Sequence, residues 1–429
     1  MGCDFEPGRA CSARPHCRLL AIMLAGHCLA AAWTSPTGAQ EVPRVANPAT
    51  PRDGSRDIQL EETWRAGGPD DDVIFGMITQ VRQDGDGNLY VMDAQLSRVH
   101  VYSPTGERLR TLFGEGEGPG EIRGPRDFVL LDDGRVGAVQ EMPGKLVFVD
   151  RGGDPAGTLE IGGAGAGHGG FCQTFAAFTD GELLLVAGFL QAPGDEPGRL
   201  TQTNFLSRCD DRGRRVVDFA ATVNEIALAD FVFDETRHLA PFWWNAAVGP
   251  GGRVWVAPDP DRYEIRIHAA DGGLESIVTR EYAPWRRTAA EKDEFVAMVQ
   301  AIYHGAPIEV RVKPREHEPT ILYLQRGLRV RPDGSLLVLT ARGVREPADG
   351  AMATFDVFAP DGTFTRQIHV HGPWDGRRDG IFLLGDDRAV VVTGFADAMV
   401  TQFTGGNMAV DVAGDAGSME VIGCRVWRD

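Results

Sequence analysis

One phrase recurs six times along this chain: a Gly or Asp turn followed by a short apolar run with strand alternation. Its clearest copy is Gly87-Asn88-Leu89-Tyr90-Val91-Met92-Asp93, and others begin at Gly134, Gly181, Gly252, Gly334 and Asp387. Successive starts lie 47, 47, 71, 82 and 53 positions apart. A unit of this size cannot bury its own apolar face, so the copies must stack on one another. That requirement constrains the fold more tightly than any single residue does.

Each unit reads as four strands. The first precedes the turn, as in Met77–Arg82, Asp127–Leu131, Trp243–Val248, Leu328–Val330 and Ile381–Leu384. The second is the phrase itself. The third alternates strictly, as in Val99-His100-Val101-Tyr102 and Phe355-Asp356-Val357-Phe358, the pattern a half-buried strand needs. The fourth follows another tight turn, as in Leu109–Phe113 and Leu274–Val278. Gly supplies positive φ in these turns and Asp bonds its own backbone, which makes them hairpins. Four-stranded antiparallel units arranged radially are the blades of a β-propeller, which protects its strand edges by closing a ring. The expected fold is therefore all-β, with six blades: 76–114, 125–162, 171–220, 242–280, 324–370 and 380–429. The last unit lacks a strand, and Ile58–Trp64 alternates correctly to supply it and close the ring.

Residues 1–39 read as a cleaved export signal, with Arg9, Arg14 and Arg18 ahead of an apolar core from Leu19 to Trp33. Residues 40–57 read as a flexible lead-in, and 58–429 as the propeller. The implied location is the periplasm or the outside of the cell, with no membrane span after cleavage. The full chain carries a net charge of −18, and removing residues 1–39 leaves 40 basic against 59 acidic groups. Such a surface repels phosphate backbones, so nucleic acid is not an expected partner. The remaining cysteines, Cys172, Cys209 and Cys424, have no CxxC spacing. In the expected propeller Cys172 and Cys209 would lie at opposite ends of non-adjacent strands, so free thiols are expected.

The run LYVMDAQLSRVHVYSPTGERLRTLFGEGEGPGEIRGP (89–125) resembles the NHL-type repeats of six-bladed propellers. The stretch DRYEIRIHAADG (261–272), followed by a helix-bearing insert, is similar to exported bacterial members of that kind. The resemblance covers about 58–429 and implies the same six-bladed fold. Members are largely of unassigned activity, so it implies little about chemistry.

Connection lengths carry the functional signal. The turns after the first and third strands are short, whereas 188–203, 220–242, 280–326, 341–354, 370–380 and 394–418 are long. These long connections leave one face of a ring, and long loops on a rigid scaffold commonly bind ligands. Within 281–323, Thr288 to His304 reads as a helix with a Thr288/Glu291 capping box, placed to cover the ring's mouth. Candidate ligand groups on that face are Trp243, Trp244, His238, Asp261, Arg262, Tyr263, Arg326 and Trp374, with Arg237 and His371 beside them. Paired tryptophans suit stacking on a sugar or base. His238, His304, His317 and His371 come from separate loops without a spaced metal motif.

No GxSxG, HExxH or Walker sequence is present, and Asp84–Asn88 lacks the later ligands of a calcium loop. The leading expectation is a monomeric, cofactor-free module that binds a peptide, glycan or protein on its long-loop face. The alternative is a metal-dependent hydrolase or lyase at the channel mouth. There Asp127 and Asn245 would be the innermost ligands of a divalent cation such as calcium or zinc.

Overall fold

The computed structural model describes residues 41–68, 71–162, 170–180, 183–229, 231–303, 311–313, 316–322, 325–404 and 419–428. The segment read as an export signal therefore lies outside the described residues, as does His304.

The chain begins with β1 (Arg44–Asn47) and β2 (Ser55–Gly67). The first repeat forms β3 (Ile78–Gln83), β4 (Leu89–Asp93), β5 (Arg98–Tyr102) and β6 (Arg108–Leu112). The second forms β7 (Pro125–Leu130), β8 (Val136–Gln140), β9 (Lys145–Val149) and β10 (Pro155–Glu160). The third forms β11 (Phe171–Asp180), β12 (Leu183–Pro193), β13 (Arg199–Cys209) and β14 (Arg215–Ala227), then β15 (Val232–Asp234) and α1 (Glu235–His238). The fourth is β16 (Ala246–Gly249), β17 (Arg253–Val256), β18 (Glu264–His268) and β19 (Leu274–Arg280), followed by α2 (Ala289–Ile302) and β20 (Arg311–Lys313). The fifth holds β21 (Leu328–Val330), β22 (Leu336–Leu339), α3 (Ala341–Arg345), β23 (Ala353–Phe358) and β24 (Phe364–His371). The last holds β25 (Gly380–Leu383), β26 (Arg388–Val392), α4 (Phe395–Thr404) and β27 (Glu420–Arg428).

These small antiparallel sheets have a propeller arrangement. Apolar clusters fill the spaces between consecutive repeats. Phe128, fully buried, packs with Tyr90 and Met92 between the first and second, and Trp255 packs with Phe358 between the fourth and fifth. Ile78, Val91 and Phe382 pack the last repeat against the first. Each such side chain stabilises by roughly 2–3 kcal/mol through area removed from water.

Two expectations about strand order need correction. The fifth and sixth repeats are not separate sheets but one eight-stranded sheet, in the order β21-β22-β23-β24-β2-β27-β26-β25. The cause is the length of β2. Its later part pairs antiparallel with β27, Ile58 opposite Arg428 and Gly67 opposite Glu420. Its first part runs parallel to β24, Ser55 opposite Gln367 and Gln59 opposite His371. Segment 40–57 is also no loose lead-in, because β1 adds a parallel fifth strand to β19. Asn47 then clamps two sheets together. Its Nδ2 donates to the carbonyls of Thr279 (3.1 Å) and Gly362 (3.0 Å), and its Oδ1 accepts from Phe364 N (2.7 Å).

In the third repeat, 188–203 is mostly strand rather than loop, since β12 runs to Pro193 and β13 starts at Arg199. Its polar residues satisfy one another across the sheet. Gln202 Nε2 donates to Asn204 Oδ1 (2.8 Å), and Asn204 Nδ2 to Thr222 Oγ1 (3.0 Å).

All three described cysteines are unpaired, and burial pushes each thiol up to about 12. Cys172 and Cys209 nevertheless border the same apolar cluster between the second and third repeats. They stay on non-adjacent strands of one sheet, β11 and β13, with β12 between them.

Candidate functional site

Each innermost strand runs from the long-connection face towards the tight-turn face. Its first and last residues therefore mark the two ends of the central channel.

At the long-connection end the channel is stopped. Phe175 near the start of β11, Trp244, and Met399 and Gln402 of α4 leave a space of about 20 Å³. The plug is pinned, because Gln402 Nε2 donates to Pro125 O (3.3 Å) and Arg126 Nη1 donates to Gln402 O (3.3 Å). The expected cover was α2, whose capping box forms as read, with Thr288 N donating to Glu291 Oε2 at 2.7 Å. However, α2 lays Phe295 and Val299 on Phe231 and Phe233, in a small core of their own. It is α4, out of connection 394–418, that stops the channel, and α2 packs against α4.

At the tight-turn end the channel opens as a cavity of about 410 Å³, bounded by Gln83, Leu130, Val248, Val330 and Leu384 near the strand ends. Four guanidinium groups line it, from Arg82, Arg326, Arg329 and Arg331, and no described lining residue carries a carboxylate. Asp127, 1% exposed, lies deeper and ties two of the arginines. Arg82 Nη2 reaches Asp127 Oδ1 (3.2 Å), and Arg326 Nη2 donates to Asp127 Oδ2, which also accepts from Ala177 N (2.8 Å). Arg82 Nε further donates to Phe128 O, and Arg326 Nη1 to Ala177 O (3.2 Å). Arg326 holds this position with φ 57°, an unusual left-handed conformation for a long side chain.

Aromatic rings set the remaining geometry. The guanidinium of Arg326 lies 4.3 Å from the Phe178 ring centre, Arg329 4.8 Å from Phe382, and Arg82 5.4 Å from Phe128. Arg329 has no acid or carbonyl partner among the described residues. Burial first, then the like charges of Arg326 and Arg82, push it down to about 9. Four guanidinium groups against one nearby carboxylate, Asp127, leave this partly apolar space with excess positive charge, in a chain whose net charge is −18.

The residues singled out from sequence do not converge. Trp243 is structural: it is 3% exposed, its Nε1 donates to Gly188 O (2.8 Å), and Phe175 packs 4.7 Å away. Trp244 is half-buried in the plug. Tyr263 is buried, its OH donating to Asp356 Oδ2 (2.8 Å), which also receives Arg280 Nη1 (3.0 Å). Asp261 and Arg262 are exposed, with Arg262 Nε 3.5 Å from Asp259. Trp374 rests half-buried on the core of the eight-stranded sheet. His238 and His371 are each held by their own neighbours, Nδ1 of the first by the backbone of Asp234 and Nε2 of the second by Asp57 (2.7 Å). Among the described residues no group of three His, Cys, Asp or Glu side chains is placed to hold a metal ion. Of the proposed ligands, Asp127 is taken up by arginines, and Asn245 Nδ2 donates to Ile321 O (3.1 Å). Only Arg326 of the set belongs to the open cavity.

A polar cleft of about 620 Å³ borders His238, but its arginines, Arg199 and Arg237, are matched by Glu225 and Asp234. It carries no charge excess. The signal that reached the central cavity was the alternation Leu328-Arg329-Val330-Arg331, two cations at every other place of an innermost strand.

No family model matches this sequence, and no curated protein matches it. Several solved structures are similar in fold. An exported protein of Bacteroides fragilis is 9% identical, with 90% of this chain and 99% of that one covered at a TM-score of 0.44. Regucalcin, a calcium-binding protein from Agrobacterium tumefaciens, is 10% identical over 89% and 96%, at 0.38. Virginiamycin B lyase from Staphylococcus aureus is 10% identical over 79% and 82%, at 0.37. At these values the likeness adds nothing about chemistry.

Proposed function

We propose that this chain is an exported, six-bladed, NHL-like propeller that works as a non-catalytic binding module, with its ligand in the central channel. Counting the eight-stranded sheet as two blades sharing β2 gives the six. Arg9, Arg14, Arg18 and the apolar run after them support export to the periplasm or beyond. Among the described residues no helix is long and apolar enough to cross a membrane.

The observation that carries the reading is the open cavity of about 410 Å³, whose size suits a small organic ligand. On this reading the binding site lies on the tight-turn face rather than the long-loop face. Metal-dependent hydrolysis or lysis is the weaker reading, because the innermost carboxylate, Asp127, already serves Arg82, Arg326 and Ala177 N.

The test narrows the mouth. Leu384→Trp at the half-buried rim should abolish capture of small molecules seen by native mass spectrometry, with the wild-type circular dichroism spectrum kept. Capture that survives Leu384→Trp but disappears with EDTA would overturn the reading in favour of the metal site.

A further inference from the structure

We infer that the cavity takes a small amphipathic carboxylate, its anionic end on Arg329 and its apolar body towards the mouth. This deepens the reading above and rests on it.

The argument starts from position along one strand. Arg326 precedes β21 at the deep end, Arg331 follows it at the rim, and Arg329 sits between them. Arg326 and Arg82 are already anchored, by Asp127 and by the carbonyls of Ala177 and Phe128. Neither can turn away from Arg329. Arg329 has no anchor of that kind, and its neighbours repel it. A half-buried cation without a counter-charge carries part of the cost of a buried one, and that cost falls when an anion arrives from solvent. The Phe382 ring, 4.8 Å from the guanidinium, favours one orientation of it over others. Little rotamer freedom is therefore left to lose on binding, which is preorganisation.

The walls decide between kinds of anion. Phe178, Leu328, Leu337, Leu383 and Leu384 line the same space, and a bare inorganic ion would leave most of that apolar surface wet. A carboxylate joined to an apolar chain or ring uses both. The planar guanidinium also matches a carboxylate in two-point hydrogen bonding, which a lysine would not.

The experiment is calorimetric titration of the full chain with octanoate, 3-phenylpropanoate, their neutral amides and inorganic phosphate. Each of the two acids should bind at least about tenfold more tightly than its amide and than phosphate, as expected for a charge-assisted contact. Arg329→Gln should remove that preference while amide binding stays as in wild type. Arg329→Lys should restore only part of it. Acids and amides binding equally, or acid preference unchanged in Arg329→Gln, would overturn the inference and leave the channel reading standing. If no acid or amide binds at all, both fall. Phosphate binding as well as the acids, with the loss in Arg329→Gln the same for each, would show an unspecific anion site and also sink the inference.

Discussion

The two ends of the central channel share the same innermost strands yet have opposite fates. The long-connection end has abundant chain to spend, and that chain fills the hole: Trp244, Phe175, Met399 and Gln402 leave room for less than a small ligand. The tight-turn end has short connections, so among the described residues nothing covers it, and the arginines of the strands line the opening there. Extra loop on a ring can close a site as readily as build one.

The contrast is open to attack by substitution. The largest effect is expected at the junction between the two ends. Asp127→Ala strips the counter-charge from Arg82 and Arg326 at once and should cost about 3–5 kcal/mol in urea unfolding, the range for breaking a buried pair. A loss near zero would mean the arginines are solvated, and the cavity far wetter than its walls suggest.

Acid titration comes next, because a residue far from either end must be separated from them. His100 in β5 is 3% exposed with both ring nitrogens unpartnered, and burial lowers it from 6.5 to about 4. The unfolded chain then binds the extra proton between these values. Stability is complete above pH 6.5, falls as pH drops through 6.5, and levels off near 4, a loss of about 3 kcal/mol. His100→Leu should flatten that stretch of the curve. If it does not, the acid response belongs to other buried groups such as His238 and His268, which burial also lowers.

At the stopped end, Met399→Ala should cost about 2 kcal/mol, the low side for a buried methionine at a surface helix. It should leave acid binding at the other end unchanged. At the open end, Arg329→Gln should raise ligand-free stability by about 1 kcal/mol, discounted because the side chain is only half-buried, while removing the preference for acids. Stabilisation at the price of binding is the mark of a functional charge. A destabilised Arg329→Gln would make Arg329 structural instead.

Much of the ring was legible. Period-two runs such as Val99–Tyr102 became β5, and Asp84 organises its hairpin as expected, accepting from Asp86 N (3.0 Å) and Asn88 N (2.8 Å). Pairings across hundreds of residues were less so. Ile58–Trp64 announced its partner through alternation, but nothing local told Ser55–Gln59 to lie along β24 or Asn47 to bridge two sheets. The site was the least legible part. An arginine in an alternating strand looks alike whether it faces bulk water or a channel. Only the register of neighbouring strands separates the two, and that register is set by contacts the local pattern does not contain.

The pairing of β2 with β27 has a temporal meaning as well. The later part of β2, Ile58–Gly67, has to wait for Glu420–Arg428, synthesised hundreds of residues afterwards, before it is paired. The circle therefore cannot lock before β27 has been made, and a chain cut short before residue 420 leaves Leu60–Gly67 without its partner. Closure of this kind makes locking of the ring a test for the presence of both distant strands.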